Sequence, residues 1–194
     1  MLRKVCVFCG SNAGTQAVYI QAAREMGRLL PERQIGLVYG GANRGLMGAL
    51  ADACLDSGGS VIGVMPRALV DKEIAHRQLT QLYIVNSMHE RKSLMADLAD
   101  AFIALPGGYG TWEEFFEVLT WSQLGLHRKP CALLNVGGYY DCFLDMADRA
   151  VKEGFLRVPH RQLVIADTEP SRLLDRLSAY SVPVTEKWID AVSR

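Results

Sequence analysis

The chain has 194 residues, 49% of them apolar, and its 21 acidic and 21 basic side chains cancel, which allows one buried α/β core and leaves little chain for a second. That charge balance argues against a nucleic-acid-binding stripe, and no apolar run is long enough to span a bilayer. Met1 leads directly into the strand-like Val5-Cys6-Val7-Phe8 with no room for a secretion signal, so the expectation is a cytoplasmic protein with neither nucleic-acid nor membrane partners.

In chain order the pattern predicts a strand near 4–9, a helix over 15–30, a strand over 35–39, a helix over 45–57 and strands over 60–65 and 80–85. A helix over 87–99, a strand over 101–105 and a helix over 111–125 follow, then a strand over 131–136, a helix over 139–153, a strand over 162–166 and a helix over 170–180. Such alternation predicts an α/β fold: a Rossmann-like, doubly wound, mostly parallel sheet with helices on both faces. No linker, repeat or low-complexity tract divides it, so residues 1–194 read as a single nucleotide-binding domain. The tail from Ser181 carries Pro183 and little periodicity, and reads as a segment that drapes over a neighbour or frays.

The five cysteines are odd in number and scattered, as free thiols in a reducing compartment would be. Cys6 and Cys9 lie three apart on a strand and so face opposite sides. Cys54 and Cys131 supply no second paired motif, and the four histidines lack ligand spacing, so neither a metal site nor a disulfide is expected.

Three glycine-bearing loops leave strands at the carboxyl edge of the sheet, where open parallel sheets bind ligands: Gly10 to Thr15, Gly40 to Gly45 and Gly107 to Thr111. Bare backbone there lets a ligand approach and lets N–H groups meet an anion. After Gly108-x-Gly110 the third dinucleotide-fingerprint position is Glu113, and Gly-Lys-Ser/Thr is absent, so the loops suit a mononucleotide. Tyr109 and Trp112 are candidates for stacking on a base, though aromatics beside a loop also serve packing.

Thr111-x-x-Glu114 has the spacing of a helix capping box, with Thr111 as N-cap and Glu114 reaching back; beside a glycine-rich turn it also places an acid at a phosphate cradle. Ser87-x-x-Glu90 resembles a second such box and puts Arg91 and Lys92 just after the first turn of a helix, with Arg91 in line with Met88, Met95 and Leu98. A guanidinium on an apolar stripe at that end of a helix calls for a carboxylate or phosphate partner. Along the next helix Trp112, Phe115, Phe116, Val118, Leu119, Trp121 and Leu124 spread round the circumference, which predicts burial on every face and a second subunit as cover.

Pro106-Gly107-Gly108-Tyr109-Gly110-Thr111-Trp112-Glu113-Glu114 resembles the Pro-Gly-Gly-x-Gly-Thr-x-x-Glu signature of the LONELY GUY (LOG) family, cytokinin riboside 5′-monophosphate phosphoribohydrolases often labelled lysine decarboxylases. The likeness extends to Cys9-Gly10-Ser11, to Tyr39-Gly40-Gly41 running on to Gly45-Leu46-Met47-Gly48, and to Met88-His89-Glu90-Arg91-Lys92. It departs at Ala42, where the family has a third glycine. The resemblance implies that Arg91 and Glu114 are catalytic and that Lys92, Glu73 and Thr120 contact substrate. With the loop residues Ser11, Gly40, Gly41, Gly107, Gly108, Tyr109, Gly110, Thr111, Trp112 and Glu113, they make up the candidate site. It further implies a homodimer and hydrolysis of AMP or an N6-substituted AMP to free base and ribose 5-phosphate, with no metal or organic cofactor. A non-catalytic nucleotide or cofactor carrier would keep the glycines without needing Glu114. Lysine decarboxylation relies on a pyridoxal phosphate Schiff-base lysine, and only Lys92 lies near the proposed site.

Overall fold

Val5, Val7 and Cys9 turn to one side of the first strand and Cys6 and Phe8 to the other, and all five are buried. A strand apolar on both faces belongs inside a parallel sheet covered by helices on each side. The computed structural model describes residues 2–70 and 75–181. Over these the chain runs β1 (Lys4–Phe8), α1 (Ala17–Glu32), β2 (Gly36–Tyr39), α2 (Gly45–Asp56), β3 (Val61–Pro66), α3 (Arg67–Val70), β4 (Gln81–Val85) and α4 (Met88–Leu98). It continues through β5 (Ala101–Ala104), α5 (Tyr109–Gln123), β6 (Cys131–Leu134), α6 (Asp141–Lys152), α7 (Val158–Arg161), β7 (Val164–Asp167) and α8 (Pro170–Ser178).

The seven strands form one all-parallel sheet in the order β4-β3-β2-β1-β5-β6-β7. One face carries α1, α2 and α8, whose Ala23, Met26, Leu50, Cys54, Leu173 and Leu174 pack on Val5, Leu37, Ile103 and Leu134. The other carries α4 and α5, whose Met95, Phe115 and Val118 pack on Cys6, Val38, Phe102 and Leu133. At the centre β1 pairs with β5, Val5 opposite Ala101, and the carboxylate of Asp100 accepts the N–H groups of Arg3 and Lys4 at 2.8 and 2.9 Å. Strand order reverses between β1 and β5, so the crevice beyond their carboxyl ends is the switch point of the sheet.

The doubly wound parallel fold is as the sequence pattern predicts. Short α3 and α7 and a 3-10 turn at Val136–Gly138 lie in stretches too brief for periodicity to register. The tail beyond Ser181 lies outside the described residues. Cys6 and Cys9 do fall in opposite cores, and all five cysteines are free; four are buried, while Cys142 on α6 is exposed. Among the described residues no helix is long and apolar enough to cross a membrane.

Candidate active site

The three glycine loops meet at the switch point and are bonded to one another. The Gly10 N–H donates to the Pro106 carbonyl at 3.0 Å, and the Gly10 carbonyl accepts from Leu46 N–H, at the start of α2, at 3.0 Å. Between them opens a cleft of about 420 Å³, within the size range of small-molecule sites. Gly10, Ser11, Asn12, Gly40, Met47, Met88, Arg91, Gly107, Gly108, Tyr109, Gly110, Thr111, Glu113, Glu114 and Tyr139 are among its walls.

The turn Pro106–Gly108 admits only glycine at its second position. A Cβ on Gly107 would collide with the Thr111 hydroxyl and stand 2.9 Å from the Gly10 nitrogen. That close packing starts α5 three residues earlier than the capping-box spacing predicts, with Gly108 as N-cap and no side-chain cap bond. Thr111 is therefore buried inside the first turn and is not the N-cap, and Glu114 does not reach back as its box partner. The first N–H of the helix paired at its end is that of Trp112, which donates to Gly108 at 3.1 Å, so among the described residues the amides of 109–111 remain to serve an anion at the cleft. The other box does form: Ser87 Oγ accepts from Glu90 N–H at 3.1 Å, and the Glu90 carboxylate reaches one residue further back, to Asn86 N–H at 2.8 Å.

Freed from capping, Glu114 faces Arg91. Nη2 of Arg91 stands 3.9 Å from Glu114 Oε1, and the two side chains are only 9 and 12% exposed. The same Nη2 donates to the Gly40 carbonyl at 3.3 Å, while the buried Nε has no hydrogen-bond partner among the described residues. Arg91 is thus a buried cation with unused hydrogen-bonding capacity beside the cleft, a state costly to maintain without a ligand. Burial raises the Glu114 carboxyl to about 7, against the opposing pull of Arg91, so the group titrates near neutrality. Perturbed acids of this kind concentrate at functional sites.

The other candidates divide. Ser11, Gly108, Tyr109, Gly110 and Glu113 line the cleft, with Tyr109 87% exposed and its ring edge-on to Trp112 at 5.4 Å. Gly41 sits behind the wall with φ +85°, its carbonyl accepting from His76 N–H at 3.0 Å. Lys92 is not among the cleft's lining residues; it forms ion pairs with the wall residue Glu113 at 2.5 Å and with Glu117 at 3.0 Å. Trp112 lines a separate apolar groove with Phe115, Phe116, Tyr140, Phe143 and Met146. Thr120 is exposed on α5, its hydroxyl donating to the Phe116 carbonyl at 2.7 Å. Glu73 lies outside the described residues. Ala42, the departure from the family's loop, is buried and bridges to Ala75, so its methyl is accommodated behind the cleft.

Sequence reasoning passed over Tyr139 and Tyr140. Tyr139 OH donates to the Gly107 carbonyl, and Tyr140 OH donates to Leu105 at 2.7 Å, so both brace the Pro106 turn. Gly137-Gly138 just before them is a fourth glycine loop at the same sheet edge, a signal of the same kind as the other three. Among the described residues of this single chain, α5 is covered on one side only, which leaves open the faces for which a second subunit is expected as cover. Thr111, Phe115 and Val118 face inward, whereas Trp112 and Phe116 are 38 and 41% exposed.

Residues 47–177 match the family model described as "Possible lysine decarboxylase". The chain is 50% identical over 178 residues to the cytokinin riboside 5′-monophosphate phosphoribohydrolase LOG of Oryza sativa subsp. japonica, covering 92% of this chain and 74% of that one. It is 47% identical over 187 residues to the cytokinin riboside 5′-monophosphate phosphoribohydrolase LOG2 of Arabidopsis thaliana, covering 96 and 87%. Among solved structures, the molybdenum cofactor carrier protein of Chlamydomonas reinhardtii superposes with a TM-score of 0.68 at 19% identity, over 91% of this chain and 98% of that one, a likeness of fold alone. With its signature turn intact at Pro106–Glu114 and half its residues shared with such relatives across nearly its whole length, the chain belongs to the LONELY GUY (LOG) family.

Proposed function

We propose that the protein is an N-glycosidase that hydrolyses a nucleoside 5′-monophosphate, AMP or an N6-substituted AMP of the cytokinin type, to the free base and ribose 5-phosphate. The observation that carries this reading is the buried Arg91–Glu114 pair on the floor of the glycine cleft. The family membership, and the activity by which the close relatives are named, support it.

Breaking the C1′–N bond leaves positive charge on the ribose ring. A fixed carboxylate at Glu114, in a site shielded from water, stabilises that charge as it develops. Water then gives its hydroxyl to C1′ and its proton to the departing base. The open N-terminus of α5 and the Gly10 and Gly40 loops hold the phosphate, and Arg91 uses its free donors on a phosphate or ribose oxygen while keeping Glu114 in place. Ser11, Tyr109 and Glu113, on the cleft wall, contact the rest of the nucleotide. For Glu73, Lys92, Trp112 and Thr120 a substrate contact is supported by the family resemblance alone, and the ion pairs of Lys92 with Glu113 and Glu117 add nothing to that support.

The unit that acts is a cytoplasmic homodimer of this single domain. Exposed Trp112 and Phe116 beside Phe143 and Met146 form an apolar groove of about 280 Å³ that a second subunit would cover, and four buried free thiols suit a reducing compartment. Incubating the purified protein with AMP, N6-isopentenyl-AMP, GMP and CMP and separating the products tests the reading. Free base and ribose 5-phosphate from an adenine nucleotide are the expected result. Tight binding without turnover would return the carrier reading.

A further inference from the structure

The two acting residues each have a sequence neighbour in the same pair of helices, and those neighbours are joined. Arg91 and Lys92 are consecutive on α4; Glu113 and Glu114 are consecutive on α5. Lys92 Nζ bridges Glu113 Oε1 at 2.5 Å and Glu117 Oε2 at 3.0 Å, carboxylates one helical turn apart. The lysine side chain is only 10% exposed, and it is absent from the walls of the glycine cleft. We propose that Lys92 is a positioning residue, a clamp from α4 onto two turns of α5 that keeps Glu114 opposite Arg91 and offsets the acids beside it, and that it is not a phosphate ligand.

The charges around Glu114 give this arrangement its consequence. Arg91 and Lys92 face it from α4, Glu113 and Glu117 flank it on α5, and the thiols of Cys6 and Cys9 approach from β1. Glu113 and Glu117 each disfavour a third negative charge at Glu114, and Lys92 answers both. Burial works against the charged form of Lys92, yet its hydrogen bond with Glu113 and its ion pair with Glu117 hold it above its ordinary range. Without the ammonium, two uncompensated carboxylates would face a buried acid that already titrates near 7. The carboxylate form that the reaction needs would then become scarce at neutral pH.

The inference rests on the proposed hydrolase reading, and the test separates the two. The pH profile of kcat and KM is measured with AMP for the wild type, Lys92→Met, Lys92→Arg and Glu117→Gln. Lys92→Met is expected to move the acidic limb up by about one pH unit, which lowers turnover at pH 7 by up to about tenfold. KM and the preference for AMP over adenosine are expected to stay within about twofold, because no phosphate contact is lost. Lys92→Arg should bring the limb most of the way back, and Glu117→Gln, which removes one acid, should move it the other way. A fixed limb in Lys92→Met overturns the clamp, as does a tenfold rise in KM for AMP with the preference over adenosine reduced. The ¹³Cδ resonance of Glu114 reads the same midpoint without turnover. A wild type inert toward AMP would therefore reject the hydrolase reading, while the clamp stands or falls on that titration.

Discussion

Nη2 of Arg91 occupies the space that a Cβ at residue 40 would need, and from there it donates to the Gly40 carbonyl at 3.3 Å. The glycine of the second loop thus makes room for a side chain of its own protein before it makes room for a ligand. Gly40→Ala is expected to displace the guanidinium and cut kcat/KM by about a hundredfold, since misplacement on the order of 1 Å costs that much at a reacting centre. Overpacking should also lower stability by roughly 1–3 kcal/mol. Steady-state kinetics and thermal unfolding of the variant check both.

Glu114→Gln keeps the volume and removes the charge. Turnover should fall by at least about a hundredfold with nucleotide binding nearly intact, the usual loss when one preorganised electrostatic group is removed. A variant that turns over at the normal rate would falsify the role assigned to this residue.

Burial lifts Glu114 from an unfolded value near 4.5 to about 7 in the fold, so activity should rise with pH through a limb close to 7. Stability should move the opposite way. The folded chain holds a proton on Glu114 that the unfolded chain releases, so this group's contribution to stability is greatest below about 4.5 and is lost as pH rises to about 7. At pH 8 Glu114→Gln should accordingly be more stable than the wild type, by on the order of 2 kcal/mol, and less so at pH 4. Denaturant melts at the two pH values measure this.

A 5′-phosphate should be required. AMP is expected to be cleaved roughly a hundredfold or more faster than adenosine in kcat/KM, because contacts remote from the broken bond hold the ribose in its reactive pose. Arg91→Met should narrow that gap if the guanidinium reaches phosphate, and leave it wide if it serves Glu114 alone. Comparable rates on the two substrates would count against the phosphate cradle.

In solution the protein should sediment as a dimer at micromolar concentration. Phe116→Glu, which sets a charge among Trp112, Phe143 and Met146, should shift it toward monomer without unfolding either half. A wild type that sediments as a monomer refutes the assignment of that groove.

Val5-Cys6-Val7-Phe8 and the other short apolar runs made the parallel sheet readable, because burial on both faces leaves an unbroken hydrophobic signature. Arg91 was readable for the inverse reason, a cation on an apolar stripe. What the chain did not disclose depends on contacts remote in sequence. Thr111-x-x-Glu114 looks like a capping box until the packing of Gly107 against Gly10 moves the helix start back to Tyr109. Lys92 looks like a further cation for the substrate until Glu117, twenty-five positions away, is seen to hold it. Tyr139 carries no local mark of its bond to Gly107, thirty-two residues earlier.

The pairing of β1 with β5 spans nearly a hundred residues of chain, from Val5 to Ala101. As the polypeptide leaves the ribosome, β1 to β4 can assemble first, and β1 then waits with one apolar edge bare until the second half is made. Long-range parallel pairing of this kind is slow and exposes aggregation-prone edges while it waits. Because Arg91 lies before that seam and Glu114 after it, a nascent or truncated half has no nucleotide cleft at all. The ligand can therefore favour only the finished sheet, and a saturating nucleotide should protect the central seam from proteolysis more than it protects the outer strands.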